Sequence, residues 1–183
     1  LLEGGPLVDG TGAPGVPGSV GVVDGRLRVW VGGAPPEELR VGRRIDVSGH
    51  VVAPGFIDLH SHGGLVILAE PRHEPKVRQG VTTELIGVDG NSYAPFPRRR
   101  DLEDFLALNA GLDGRPPIAY DWSTVPEYLA RYDGQVAVNV AYVVGNSPIR
   151  IAALGWDEVA ADRRAMADQR AMLRESLEAG AFG

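Results

Sequence analysis

The 183-residue chain contains no cysteine, which removes disulfides as a source of stability and thiolates as metal ligands. Lysine is almost as scarce, with Lys76 as its sole representative. No apolar run approaches the roughly 20 residues needed to span a bilayer, so a membrane helix is not expected. Positive charge is in deficit as well: 18 Lys and Arg face 24 Asp and Glu, a net charge of −6 that argues against nucleic acid as a partner. The run Arg98-Arg99-Arg100 does not change this, because acidic residues follow at once and make it a solvated loop. No signal peptide is visible, and a cytoplasmic location is expected. Because the chain opens at Leu1-Leu2-Glu3 without a Met, a removed leader stays open.

What is present is ordinary for a globular protein, with 44% hydrophobic and 23% charged residues. The length allows one domain with a sizeable core, or a small domain plus part of a larger one.

The informative stretch is V-V-A-P-G-F-I-D-L-H-S-H-G-G, Val51 to Gly64. Pro54-Gly55 makes a turn, Phe56-Ile57 starts a strand, and His60 and His62 fall two residues apart near its end. Side chains on a strand alternate faces, so both imidazoles point the same way and can reach one metal ion. Asp58 lies one step below on the same face, where it could orient a ligating imidazole or satisfy backbone groups near the strand start. Gly63-Gly64 leaves room for a metal, a water or a substrate to approach the backbone. A bare H-x-H often arises by chance on a solvated strand; an apolar strand framed by Pro-Gly and Gly-Gly favours metal.

The run P-G-F-I-D-L-H-S-H resembles the first-strand signature of the metal-dependent amidohydrolases. Pro75 to Pro95 (P-K-V-R-Q-G-V-T-T-E-L-I-G-V-D-G-N-S-Y-A-P), Asp121 to Thr124 (D-W-S-T) and Asn139 to Arg150 (N-V-A-Y-V-V-G-N-S-P-I-R) resemble its D-aminoacylase branch, the N-acyl-D-amino-acid deacylases. The likeness covers nearly the whole chain. It implies a (β/α)8 barrel flanked by a small β-sandwich, one or two divalent metals (Zn2+ foremost), and hydrolysis of a linear amide such as an N-acyl amino acid. It also implies a general acid/base aspartate and two further histidine ligands on later strands, beyond Gly183, so that no complete catalytic set lies in these residues. The alternatives are a cyclic-amide hydrolase resembling dihydroorotase or hydantoinase, and a degenerate or truncated member acting as a binding or structural module.

Residues 1–52 read as β: Leu7-Val8, Ser19 to Val23, Arg26 to Val31 and Arg44 to Val47 are short β-rich runs separated by Gly and Pro. Asp24-Gly25 between two apolar runs signals a hairpin. Gly10-Thr11-Gly12-Ala13-Pro14-Gly15 fits G-x-G-x-x-G, but no helix follows to hold a pyrophosphate, so it reads as a glycine-rich turn. This segment is assigned to part of the β-sandwich.

Residues 53–183 alternate apolar strands with helices, the mark of βα units and a parallel sheet. Strands are expected at Phe56 to His60, Val81 to Gly87 and Val136 to Val144. Helices are expected around Glu74 to Gln79, Asp101 to Asn109, Ser123 or Thr124 to Tyr132, and Asp157 to Ala179. In the last helix, Val159, Met166, Leu173 and Leu177 form an apolar stripe read as core packing. The fold class is therefore α/β, and the resemblance makes it the first three to four βα units of a (β/α)8 barrel, preceded by part of the sandwich. The chain stops as a new strand begins, which reads as a fragment.

Barrel active sites lie at the C-terminal ends of the strands. After the second strand comes Asp89, where the resembled deacylases usually carry a ligating cysteine. A carboxylate can also ligate Zn2+, as a harder donor; the alternative is an Asx-type turn before Gly90. After the third strand, Asn146 could hydrogen-bond substrate or a metal ligand, or cap a turn. Ser92 and Tyr93 rank lower. His50 and His73 are read as having no chemical role, and Lys76 lies in a helix rather than at the strand end where a metal-bridging lysine belongs. The expected metal ligands are His60, His62 and Asp89.

Overall fold

A computed structural model describes all 183 residues as two compact units, Leu1–Gly55 and Phe56–Gly183. The first is a four-stranded sheet in the order β3-β2-β1-β4, built from β1 (Leu2–Leu7), β2 (Val16–Val23), β3 (Arg26–Val31) and β4 (Ile45–Asp46). β2 and β3 form the antiparallel hairpin expected from Asp24-Gly25, with Val23 opposite Arg26. Both turn residues adopt positive φ (49° and 72°), the geometry that matches strand twist in a two-residue hairpin. β1 pairs antiparallel with β2 and parallel with β4. Leu7 and Val20 are buried, whereas Leu27, Val29 and Val31 along β3 are exposed. The segment 10–15 is irregular, and Asp9 accepts the Thr11 N–H and hydroxyl there.

The second unit carries a three-stranded parallel sheet, order β5-β6-β7, from β5 (Phe56–Ser61), β6 (Val81–Ile86) and β7 (Asn139–Tyr142). Between β5 and β6 run two short helices, α1 (Gly64–Ala69) and α2 (Glu74–Val77). Between β6 and β7 run α3 (Arg99–Asp113) and α4 (Val125–Leu129); after β7 come α5 (Asn146–Leu154) and α6 (Arg163–Glu178). No helix is long and apolar enough to cross a membrane.

The core of this unit concentrates the few aromatics of the sequence. Trp122 lies 4.9 Å from Tyr128 between ring centroids, and Tyr128 meets Tyr132 and Tyr142 edge-on at 5.3 and 5.6 Å. Such tilted and T-shaped pairs let the positive ring edge meet the negative face. Phe96, Phe105, Leu102 and Leu106 extend the cluster beneath α3.

Several elements differ from the sequence expectations. α1 is not among the expected helices, because Leu65 to Ala69 are five successive apolar residues with neither helical nor strand period. α5 hides behind Pro148, which a first helical turn tolerates. α3 continues past Asn109 to Asp113, through Gly111. α4 begins at the Thr124/Glu127 capping box but ends at Leu129. The stripe on α6 is corrected: Val159 precedes the helix, and Met166, Leu173 and Leu177 are exposed, while Ala165 and Ser176 are buried. Spacing identified the stripe, yet the side that packs is the small-residue one. At the far edge of the sheet, the Phe182 N–H donates to the Tyr142 carbonyl (2.7 Å), and the Val144 N–H donates to the Gly183 carbonyl (2.9 Å).

Candidate metal centre

His60 is the penultimate residue of β5 and His62 lies just past its end, so strand alternation sends both imidazoles to one side and Ser61 to the other. Asp89 arrives from the loop after β6. Residues 88–91 form a tight turn in which Asp89 and Gly90 have φ of 56° and 78°, closed by the Asn91 N–H on the Val88 carbonyl at 2.9 Å. The backbone thus makes the turn itself and leaves the Asp89 carboxylate free. The loop after β7 clamps this turn: the Ser147 N–H donates to the Gly90 carbonyl at 3.1 Å. A Cβ on Gly145 would stand 2.2 Å from the same oxygen, so only glycine permits that approach.

The outcome is convergence on one atom. Nε2 of His60 lies 3.1 Å, and Nε2 of His62 3.2 Å, from Oδ2 of Asp89. The ring centroids are 5.5 Å apart at an interplanar angle of 59°. One donor atom from each residue lies within 4.8 Å of the others, so a single cation could be reached by all three. Two imidazole nitrogens and a carboxylate oxygen form a set that Zn2+ accepts.

Asp58 touches neither ring. Its Oδ1 accepts the His60 backbone N–H at 3.0 Å and its Oδ2 pairs with Lys76, so the backbone role weighed for it is the one observed. The Lys76 ammonium, and then that N–H, hold the Asp58 carboxyl below its ordinary range; Asp58 in turn raises Lys76. Asn146 stands exposed at the start of α5, its backbone N near Gly90. His50 is exposed, with Nδ1 3.2 Å from the Ser48 carbonyl.

Two contacts escaped sequence reasoning. Nδ1 of His62 lies 2.8 Å from Oδ1 of Asp113, the last residue of α3, whose Oδ2 accepts the Tyr93 hydroxyl at 2.5 Å. Burial, and then the Asp113 carboxylate, push the Tyr93 phenol well above its ordinary pKa, so it stays a donor. On the opposite face, Ser61 donates to Glu84 on β6, whose second oxygen meets Nε2 of His73 at 2.5 Å. Ser61 also accepts the Gly63 N–H at 3.0 Å. His73, read as having no role, belongs to a buried network and sits just before α2 with a left-handed φ of 42°. Ser92 likewise faces inward, bonding the Ala94 carbonyl and accepting the Gly145 N–H.

No family model matches the chain. It is 36% identical over 184 residues to an N-acyl-D-aspartate deacylase of Alcaligenes xylosoxydans xylosoxydans, covering 100% of this chain and 35% of that protein. Among solved structures it is similar to an N-acyl-D-glutamate deacylase from Bordetella bronchiseptica complexed with zinc and a phosphonate inhibitor that mimics the tetrahedral intermediate. That match has a TM-score of 0.81 at 34% identity, over 100% of this chain and 36% of the other. A D-aminoacylase studied for its binuclear metal centre matches with a TM-score of 0.79 at 33% identity, over 100% and 37% respectively. The chain spans about a third of the length of the relatives it matches. Along its whole length, then, it is homologous to the N-terminal portion of the D-aminoacylases and N-acyl-D-amino-acid deacylases, which are amidohydrolases.

Proposed function

We propose that this chain is the N-terminal, metal-holding part of a hydrolase that cleaves linear amides of the N-acyl-D-amino-acid type, using one or two divalent metals, with Zn2+ the best match. The observation that carries this reading is the meeting of the His60 and His62 Nε2 atoms on a single oxygen of Asp89. A divalent metal held there would supply Lewis-acid polarisation of an amide carbonyl and would lower the pKa of its bound water to about 7. His60 and His62 contribute neutral nitrogen donors, and Asp89 contributes the negative charge that the related deacylases are expected to draw from a thiolate. Asn146, exposed beside the Asp89 turn, hydrogen-bonds the substrate in this reading. The proton-transferring carboxylate and further histidines are expected elsewhere in the intact protein, so the 183 residues alone are expected to be inactive.

The same proposal makes β5, β6 and β7 the first three strands of a (β/α)8 barrel and residues 1–52 part of a small β-sandwich. The parallel order β5-β6-β7 with helical crossovers supports it. So do Ile57 and Leu59, large apolar side chains exposed on the edge strand β5. All three candidate ligands lie at C-terminal strand ends, where barrel enzymes place their chemistry.

The test is metal content and turnover of the intact protein and its Asp89→Ala variant, with N-acetyl-D-amino acids and a cyclic amide as substrates. Stoichiometric metal and linear-amide hydrolysis are expected in the parent, with both reduced in the variant. Unchanged occupancy in Asp89→Ala removes Asp89 from the ligand set. Turnover of the cyclic amide alone replaces the linear-amide reading.

A further inference from the structure

The two candidate histidine ligands are not held alike. His60 reaches Asp89 through Nε2 and its side chain is 62% exposed; His62 is 24% exposed and engages a partner through each nitrogen. The partner on Nδ1 is Asp113, whose carboxylate is 3% exposed.

We propose that Asp113 is a positioning residue that fixes which nitrogen of His62 faces a cation, with Tyr93 fixing Asp113 in turn. The inference rests on the metal reading of His62. Both ring nitrogens face a carboxylate oxygen, and an ionised carboxylate only accepts hydrogen bonds; with a cation on Nε2, the ring's one remaining hydrogen sits on Nδ1, 2.8 Å from Oδ1 of Asp113. A cation among the three donors takes the Nε2 lone pair, and the Nδ1–H bond to Asp113 keeps Nε2 turned toward it. Asp113 cannot turn away, because its other oxygen takes the Tyr93 hydroxyl at 2.5 Å. Tyr93 is itself fixed: its ring packs edge-on against Phe105 at 5.8 Å, and its carbonyl accepts the Trp122 indole N–H at 2.7 Å. Orientation is thus passed from the aromatic core through Tyr93 and Asp113 to one imidazole. Asp113 lies 51 residues from His62 and is delivered by α3, which assigns a task to the long excursion between β6 and β7. A carboxylate on the far nitrogen of a ligating imidazole sets its tautomer and raises its basicity, and losing such a partner typically costs about 10–100-fold in metal affinity.

The experiment uses the intact protein, its Asp113→Asn, Tyr93→Phe and His62→Ala variants, and zinc as the probe. Zinc affinity is read by competition with a chromophoric chelator. The His62 tautomer is read in the zinc-loaded protein by long-range 15N–1H correlation. The parent is expected to show the Nδ1–H tautomer. In Asp113→Asn the neutral amide holds the Nδ1–H less strongly, and a zinc affinity lower by about 10–100-fold is expected. Tyr93→Phe should keep the tautomer and lose less affinity. The Nε2–H tautomer in the parent overturns the proposal with no variant needed, so a variant that fails to fold does not shelter it. Parent-like affinity in Asp113→Asn overturns it too, provided His62→Ala has lost zinc. If His62→Ala keeps parent affinity, the metal reading of His62 falls, and this inference falls with it.

Discussion

Two histidine–carboxylate clusters share the end of β5 and face opposite ways. On one face His60, His62 and Asp89 bring three donor atoms together with side chains 62, 24 and 55% exposed. On the other, His73 and Glu84 pair with side chains 7 and 0% exposed, and Ser61 completes the Glu84 carboxylate. The residue types are nearly the same; accessibility and saturation separate them. A buried pair whose oxygens are both taken by protein donors has no coordination site left, and its energetic weight lies in the fold. An open group whose nitrogens crowd one carboxylate oxygen is loosely satisfied and can be reached by a cation from solvent.

The hardest blow to this contrast comes from the buried side. His73→Ala leaves a buried Glu84 oxygen without its hydrogen-bond partner, and an unsatisfied buried group costs about 1–3 kcal/mol. Denaturant unfolding of the intact protein should show that loss as a lower midpoint with an unchanged slope. An unmoved midpoint would mean that the pair carries no structural weight. His60→Ala should do the reverse: metal is lost, while metal-free stability stays within about 0.5 kcal/mol, as for other exposed substitutions. If His60→Ala unfolds the protein as severely as His73→Ala, the two clusters are not functionally distinct.

A finer test concerns the hardness of the third donor. Asp89→Cys places a thiolate where the resembled deacylases carry one, and soft donors favour zinc over harder cations. Zinc should be retained or bound more tightly relative to manganese, and the ratio of the two affinities from competition titrations reads it. An unaltered ratio would mean that position 89 does not contact the ion.

How much of this was legible in the sequence follows from the range of each interaction. The H-x-H pair was readable because strand alternation is local, and Asp89 because it follows a strand end at the place where the resembled deacylases are expected to carry a cysteine. The hairpin at Asp24-Gly25 and the capping box of α4 belong to the same class. Asp113 was not readable, since its meeting with His62 joins residues 51 apart through a helix whose last turn continued past a glycine. His73 and Glu84 sit on separate elements, and nothing in either neighbourhood announces the other. The α6 stripe failed for a related reason: period identifies an apolar face but does not say which neighbour covers it.

The smallest expected effect belongs to the pair that braces the strand from below, Asp58 and Lys76. Its side chains are 23 and 34% exposed, so removing the charge by Lys76→Met should cost about 0.2–1 kcal/mol, the range of exposed pairs. Its sign across pH is the sharper check. The folded Asp58 carboxyl titrates below its ordinary 3.8, so its contribution is complete above that value and fades as pH falls through the lower folded one. The folded Lys76 ammonium titrates above its ordinary 10.5, so its contribution is complete below that value and fades as pH rises through the higher folded one. The stability difference between parent and Lys76→Met should therefore be flat between about pH 4 and 10 and shrink at both ends. A difference that changes sharply near neutrality would trace instead to an imidazole. It would then couple this brace to His60, whose backbone N–H rests on the same carboxylate.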